Sequence, residues 1–210
     1  MKESREYTKK VQKLYRALKR RGTREKTEYD EPVDALVYAV VSENLTEQQA
    51  QSAIKRLKDY FVDYNDLRVA TVEEITEALG RDCTPAKIIA QSLVSSLKAV
   101  FEKYNTLSLQ GLKKLGKRPA KMLLERITGA TPFVVDFCML TALQGHAIPL
   151  TPAMIEHLKS NQLVNSAAPY EEIEGFLARQ TPTKNAYEFY ALLRHECETP
   201  KGKKTKKVKK

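Results

Sequence analysis

The sequence lacks any apolar run close to the roughly 20 residues that a helix needs to cross a bilayer. It also lacks the charged, apolar and small-residue pattern of a signal peptide at its start. We therefore expect a protein that is not embedded in a membrane. We expect it to lie inside the cell, in the cytoplasm, the nucleoid or the nucleus. Its 210 residues are enough to bury the core of one or two small domains.

Cysteine and histidine are too scarce to suggest a metal site. The cysteines, Cys83, Cys138 and Cys197, are odd in number and widely spaced, which gives neither a zinc spacing nor a disulfide framework. His146 and His195 are isolated and have no ligand spacing around them. We expect no cofactor.

Strict two-residue alternation with hairpin turns is also missing, whereas apolar residues recur at helical spacing along the whole chain. Thr46 with Gln49 and Thr71 with Glu74 have the spacing of capping boxes, and Asp30 is a plausible cap for a helix opening at Pro32. These patterns predict an all-α fold. The predicted helices cover about 3–21, 152–161 and 170–179, and others begin near Pro32, Thr46, Thr71, Thr84-Pro85, Pro119, Pro132 and Thr183.

The net charge of +10 is unevenly distributed. Residues 1–30 hold eleven Lys and Arg against five Asp and Glu, and residues 199–210 hold seven Lys and no acid, which leaves the body between them at −3. One internal basic patch lies in residues 103–126, and Glu125 is the only acidic residue in it. Its members are Lys103, Lys113, Lys114, Lys117, Arg118, Lys121 and Arg126.

The chain is organised around the stretch 123–156, in which a glycine turn joins two helices. The turn is Thr128-Gly129-Ala130-Thr131, and an apolar helix opens after it at Pro132. An extended link then leads to another helix that opens at Thr151-Pro152. Proline at a first helical position wastes no N–H group, and threonine before it caps the free ones. The second helix of such a hairpin presents backbone N–H groups to an anion such as a phosphate.

This stretch resembles the helix-hairpin-helix DNA glycosylases of the endonuclease III superfamily. Their hairpin reads roughly L-P-G-[VI]-G-x-K-[TV]-A, which corresponds to residues 127–135, and their V-P-V-D-x-H segment corresponds to 148–153. The resemblance extends over about residues 30–197. It implies a two-lobed helical fold with a central cleft, in which DNA is bound and a base is turned out of the duplex.

The resemblance also implies that both reactive groups have been replaced. Phe133 stands at the family's nucleophilic lysine and Thr151 at its catalytic aspartate, while Thr131 stands at the second hairpin glycine. Threonine preserves the helix cap but supplies no charge. No catalytic residue is predicted; Asp136 is a weak candidate for a relocated carboxylate, and Glu43 and Glu156 are the alternatives. Many relatives carry a four-cysteine iron–sulfur loop, whereas this chain has only Cys197 in that region, so we expect no cluster.

The expected partner is therefore DNA, double-stranded and bound largely without regard to sequence, by a monomer. Asn44 stands where the family places a glutamine wedge, although a polar interhelical loop is the simpler interpretation. The N-terminal basic helix either packs on the body through its apolar stripe, lies near a phosphate backbone, or does both. The predicted DNA-binding residues are Asn44, Lys113, Lys114, Lys117, Arg118, Lys121, Gly129, Ala130 and Thr131.

Three functions remain open from sequence alone. The first is a DNA-binding protein of the base-excision glycosylase superfamily without catalysis, the second an active glycosylase whose carboxylate has moved, and the third a protein-interaction scaffold. The expected organisation has four parts. They are a basic N-terminal helix (1–31) packed on the C-terminal lobe, a helical lobe (32–145) with the hairpin at 117–145, a C-terminal lobe (146–198), and a disordered Lys-rich tail (199–210).

Overall fold

The computed structural model describes residues 4–20, 22 and 24–199, and this part of the chain forms eleven α-helices and no strand. The all-α prediction is therefore confirmed. The Lys-rich segment 200–210 lies outside the described residues. The helices are α1 (Ser4–Lys19), α2 (Pro32–Ser42), α3 (Glu47–Tyr60), α4 (Tyr64–Val69), α5 (Val72–Leu79), α6 (Ala86–Tyr104), α7 (Lys117–Leu124), α8 (Pro132–Thr141), α9 (Pro152–Ser160), α10 (Tyr170–Gln180) and α11 (Ala186–Glu198).

Helices α2 to α8 form the first of two groups. Two of them, α2 and α8, are apolar on all sides, and the others pack around these two. Helix α2 runs PVDALVYAVVS, and Ala35, Leu36, Ala39 and Val41 in it are fully buried. Every residue of α8 from 133 to 141 is buried, and α8 packs along α2. Helices without a polar face belong in the centre of a protein. Here they bring the end of α2 beside the start of α8.

The remaining helices, α1 and α9 to α11, form the second group. Helix α1 packs on α10 and α11, with Val11 and Leu18 of its apolar stripe buried. The ring of Tyr15 meets that of Phe189 edge-on at 5.2 Å, and its hydroxyl donates to Glu188 at 2.6 Å. The apolar stripe of the basic N-terminal helix therefore serves packing.

The helix caps follow the sequence with small differences. Both capping boxes, at Thr46 and Thr71, are present as predicted, and Asn105 ends α6 in a left-handed conformation. The cap of α2 is Glu31 and not Asp30, because the Glu31 carboxylate also accepts from Ser108 and the Leu109 N–H, which holds it at that helix start.

Three predicted starts also shifted. Helix α7 begins at Lys117 rather than at Pro119, α6 begins at Ala86 after an uncapped Pro85, and a short 3-10 turn at 183–185 precedes α11. None of the described helices is long and apolar enough to cross a membrane.

Candidate nucleic-acid interface

The turn between α7 and α8 requires glycine for two reasons. Gly129 has a φ of +88°, which side chains with a Cβ rarely adopt. A Cβ there would also lie 3.1 Å from the Ser92 carbonyl oxygen and 3.2 Å from Ser95 Cβ, both on α6. The neighbouring Ala130 N–H donates to the Ile127 carbonyl at 3.0 Å. These two predicted DNA-binding residues therefore shape the turn and seat it on α6.

Thr131 caps α8 and meets a carboxylate from the end of α2. Its Oγ1 accepts from the Val134 N–H at 3.3 Å, as expected for an N-cap threonine. Its hydroxyl also hydrogen-bonds to Glu43. Glu43 is half-buried, and this burial raises the pKa of its carboxyl, while the Thr131 hydrogen bond opposes the shift. The Glu43 side chain, just after the end of α2, is therefore near Thr131.

Phe133, which the sequence resemblance predicts to replace a lysine, lies in an aromatic cluster. Only 1% of its surface is exposed, and its ring centroid lies 6.0 Å from that of Phe137. Phe137 in turn stacks on Tyr38 at 5.5 Å and meets Tyr190 of α11 at 6.0 Å. Aromatic rings from both groups of helices therefore form one cluster around Phe133 and Phe137.

Thr151, which the sequence resemblance predicts to replace an aspartate, is also buried, with 5% of its surface exposed. It caps α9, and its Oγ1 accepts from the Met154 N–H at 3.3 Å. Thr151 thus caps the start of α9 with a hydroxyl that is already hydrogen-bonded. It supplies no carboxylate that could face a sugar.

A pocket of about 160 Å³ opens beside the aromatic cluster, between the two groups of helices. Burial raises the pKa of Tyr38 in its wall to about 12, so this phenol is neutral near pH 7. Glu47 and Gln51 add a carboxylate and an amide. The pocket is lined by Thr27, Tyr29, Tyr38, Glu47, Gln51, Phe137, Tyr187, Tyr190, Ala191 and Arg194.

Arg194 ties this pocket to the loop between α2 and α3. Its guanidinium donates to the carbonyls of Ser42 at 2.9 Å and Leu45 at 3.0 Å, and to the Tyr190 hydroxyl at 2.8 Å. Glu198 pairs with it at 2.7 Å, so the buried charge is neutralised. The loop that Arg194 holds in place presents the exposed Asn44, the predicted wedge.

Asp136, the weak catalytic candidate, is held in a buried network. It is 2% exposed, and its oxygens accept from Lys121 Nζ at 2.8 Å and from the Tyr170 hydroxyl at 3.0 Å. Burial raises the pKa of Asp136 despite the pairing with Lys121. Burial acts to lower the pKa of Lys121. Because this amine is partly exposed, the hydrogen bond and the charge of Asp136 outweigh burial, and the pKa is raised.

The Tyr170 hydroxyl also accepts from the Leu150 N–H at 3.3 Å, in the link that leads to α9. The network therefore joins α7 and α8 to α10 and to this link. Both Asp136 oxygens and the Lys121 amine are engaged in it, which leaves Asp136 poorly placed for catalysis and Lys121 poorly placed for a phosphate.

The other predicted cations differ in their surroundings. Lys113 and Lys114, in a short 3-10 turn, are exposed, as is Arg118 at the start of α7. Lys117 is exposed too, but its amine donates to the Leu143 carbonyl. Lys113, Lys114 and Arg118 are thus the members of the predicted set whose charges face solvent near the hairpin.

A four-cysteine iron–sulfur cluster does not fit this chain. Cys83 lies before α6, Cys138 is buried in α8 and Cys197 lies in α11, and no disulfide joins any two of these three described cysteines. Among the described residues, no three His, Cys, Asp or Glu side chains are grouped to hold a metal ion.

Solved structures with this helix arrangement include several DNA glycosylases. An endonuclease III trapped covalently on DNA superposes with a TM-score of 0.67 at 15% identity, over 93% of this chain and 87% of that one. A thermostable thymine-DNA glycosylase gives 0.63 at 11% identity, over 96% and 90%. The 8-oxoguanine glycosylase/lyase of Clostridium acetobutylicum, in complex with double-stranded DNA, gives 0.62 at 16% identity, over 79% and 59%.

The chain has the endonuclease III fold. The resemblance read from the hairpin is therefore confirmed at the level of the fold. Among curated proteins, an Arabidopsis thaliana protein named "Putative DNA glycosylase" is 25% identical over 172 residues, which are 81% of this chain. The chain spans 58% of the length of that relative. No protein-family model matches the sequence.

Within the endonuclease III fold, the sequence predicted the turn between α7 and α8 but did not indicate the aromatic pocket. Its lining residues come from the segment before α2 and from α2, α3, α8 and α11, which are far apart in the chain. The only local signal was the tyrosines of α11, Tyr187 and Tyr190, which helical spacing assigned to packing.

Proposed function

We propose that this chain is a DNA-binding protein of the glycosylase type that holds duplex DNA without cutting it. The observation that carries the proposal is the burial of Phe133 and Thr151, at 1% and 5% exposure, beside an intact hairpin. Breaking a glycosidic bond builds positive charge on the sugar, which a carboxylate must stabilise. A phenyl ring and an engaged hydroxyl at these two positions offer neither a nucleophile nor a charge.

The DNA-holding surface in this proposal combines three features. Lys113, Lys114 and Arg118 contribute exposed charge near the hairpin, and Asn44 projects from the loop between α2 and α3. The pocket of about 160 Å³ has a volume and an aromatic lining suited to one nucleobase, which would stack on its rings. Phosphate contacts give affinity without sequence preference, so binding is largely sequence-independent.

Fluorescence anisotropy with a labelled undamaged duplex, measured over a salt series with the full chain, tests this proposal. The full chain is expected to bind at low salt, with log K falling linearly against log salt. Replacing Lys113 and Lys114 together by Gln should reduce the slope by up to about 2, since each phosphate contact contributes about 0.9. The matched control replaces Lys55 and Lys58 of α3 by Gln.

The Lys55 and Lys58 control separates local contacts from net charge. If both double variants lose affinity equally, the charge of the whole chain and not the hairpin region holds the DNA. If the wild-type chain does not retard or bind duplex DNA even at low salt, the proposal is wrong and a protein-interaction scaffold takes its place.

A second candidate is an active glycosylase with a relocated carboxylate. One observation favours it: Glu47 lines the aromatic pocket, where a turned-out base would lie. There its carboxylate would stabilise positive charge on the sugar while water attacks and the base leaves. This candidate predicts base release that Glu47→Gln abolishes and that Glu73→Gln, an exposed glutamate of α5, leaves unchanged.

A further inference from the structure

Helix α1 has an apolar face and, opposite to it, a basic face. Val11 and Leu18 of the apolar face are buried, and the helix packs on α10 and α11. The cations on the other side follow one another at intervals of four, four and three residues, so at 3.6 residues per turn they form one row along the helix. All of them are exposed, and we name this row the basic face of α1: Arg5, Lys9, Lys13 and Arg16.

No charge of the basic face is neutralised within the part of the chain that the structure describes. The other cations of α1 have partners, since Lys10 pairs with Glu6 at 2.6 Å and Lys19 pairs with Glu188 at 3.0 Å. Glu6 is the only acidic residue in α1. By contrast, the side chains of the basic face make no ion pair and no hydrogen bond to any described residue.

A row of this kind is unfavourable for the helix on its own. Like charges four residues apart lie side by side and destabilise a helix, and the row contains two such pairs, Arg5 with Lys9 and Lys9 with Lys13. Solubility requires surface charge, but charges of both signs serve it and also stabilise an exposed helix. A row of one sign that the protein itself does not neutralise therefore indicates an anionic partner.

We propose that the basic face of α1 is a second contact surface for the phosphate backbone of duplex DNA, separate from the hairpin cations Lys113, Lys114 and Arg118. The inference rests on the proposed function. From Arg5 to Arg16 the row is about 16 Å long, which is the axial length of about five phosphates along one DNA strand. The row and a strand of duplex DNA therefore carry opposite charge at a similar density.

The two surfaces belong to different parts of the fold. Helix α1 packs on α10 and α11 in the second group of helices, whereas the hairpin cations lie in α7 and in the turn just before it, and α7 packs on α8 in the first group. The two surfaces share no residue, so the phosphates that they hold are different ones. Their contributions to the salt dependence of binding should therefore add.

The test uses the full chain in anisotropy titrations of an undamaged labelled duplex over a salt series. Replacing Lys9 and Lys13 together by Gln gives the basic-face variant. It should bind roughly tenfold more weakly at about 0.1 M salt, with a log–log slope reduced by up to about 1.8, because two phosphate contacts are lost. Its thermal unfolding midpoint should not fall, since both side chains are exposed and the repulsion within the row is relieved.

Two further variants separate a phosphate contact from other effects. Replacing Lys9 and Lys13 by Arg keeps both charges and should leave the affinity and the slope as in wild type. Replacing Lys55 and Lys58 by Gln removes two exposed charges from α3 and is the matched control, which should keep a slope close to that of wild type. The inference is overturned if the basic-face variant loses no more slope than this control, or if the Arg variant loses as much as the basic-face variant.

The hairpin variant, in which Lys113 and Lys114 are replaced by Gln, distinguishes this inference from the proposed function. Combining it with the basic-face variant should reduce the slope by up to about 3.6. A combined loss no larger than that of either variant alone overturns the separation of the two surfaces. If the hairpin variant loses slope and the basic-face variant does not, the inference is wrong and the proposed function stands. Absence of binding by wild type overturns the proposed function itself.

Discussion

The amine of Lys121 lies 2.8 Å from an oxygen of Asp136, a carboxylate of which only 2% is exposed. Asp136 therefore joins the hairpin to α10 through Tyr170. Such a buried pair can cost stability, because desolvation competes with the attraction. The direction of the pKa shift of Asp136 shows which of the two effects is larger. Its pKa is raised, so desolvation outweighs the attraction to Lys121.

The first prediction concerns Asp136→Asn and pH. A carboxyl with a raised pKa in the folded state contributes stability below its unfolded pKa of about 4 and loses it as pH rises through the folded value. Wild type therefore loses stability at this site on going from pH 4 to pH 7.5, and the asparagine variant does not. Denaturant unfolding at several pH values should show the variant gaining relative to wild type as pH rises. A relative loss would mean that the attraction to Lys121 outweighs burial.

The second prediction concerns the hairpin turn. Gly129→Ala should lower the free energy of unfolding by about 1–3 kcal/mol, because its φ of +88° is strained for alanine. The new methyl would also press on the Ser92 carbonyl of α6. Gly111→Ala is the control, since a Cβ there has open space and should change stability little. Thermal and denaturant unfolding measure both, and equal stabilities would show that the turn is not seated on α6 as described.

The third prediction is that a lysine at position 133 destabilises the chain. Phe133→Lys would place an amine in the aromatic cluster, 1% exposed, with no partner described there. It should destabilise the chain by about 3 kcal/mol or more, against about 1 kcal/mol for Phe133→Leu. Denaturant unfolding compares the two variants. If Phe133→Lys were as stable as wild type, the aromatic cluster would have to open to solvent at this position.

Local signals in the sequence were enough to predict most helices and the hairpin. Thr46, Thr71, Thr131 and Thr151 all cap the helices that follow them, because a cap needs only a side chain and the N–H groups two or three residues later. The cap of α2 was misassigned to Asp30. Its true cap, Glu31, is held by contacts to Ser108 and Leu109, which lie far along the chain.

The candidate site was harder to predict, because its decisive contacts are between distant segments. Nothing beside Asp136 in sequence indicates that Lys121 and Tyr170 enclose it. Likewise, nothing beside Arg194 in sequence indicates that it is buried against the loop that carries Asn44. Side chains such as these change from exposed to buried only when the two groups of helices pack together.

The central claim is that this chain holds DNA but does not excise a base. A single-turnover assay tests it most directly, with full-length protein in excess over a duplex carrying uracil, 8-oxoguanine or an abasic site, at a salt concentration where anisotropy shows the duplex bound. If the proposed function is correct, the duplex is fully bound, and neither base release nor strand cleavage is faster than in protein-free buffer. Base release above that background, abolished by Glu47→Gln and retained by Glu73→Gln, would contradict it.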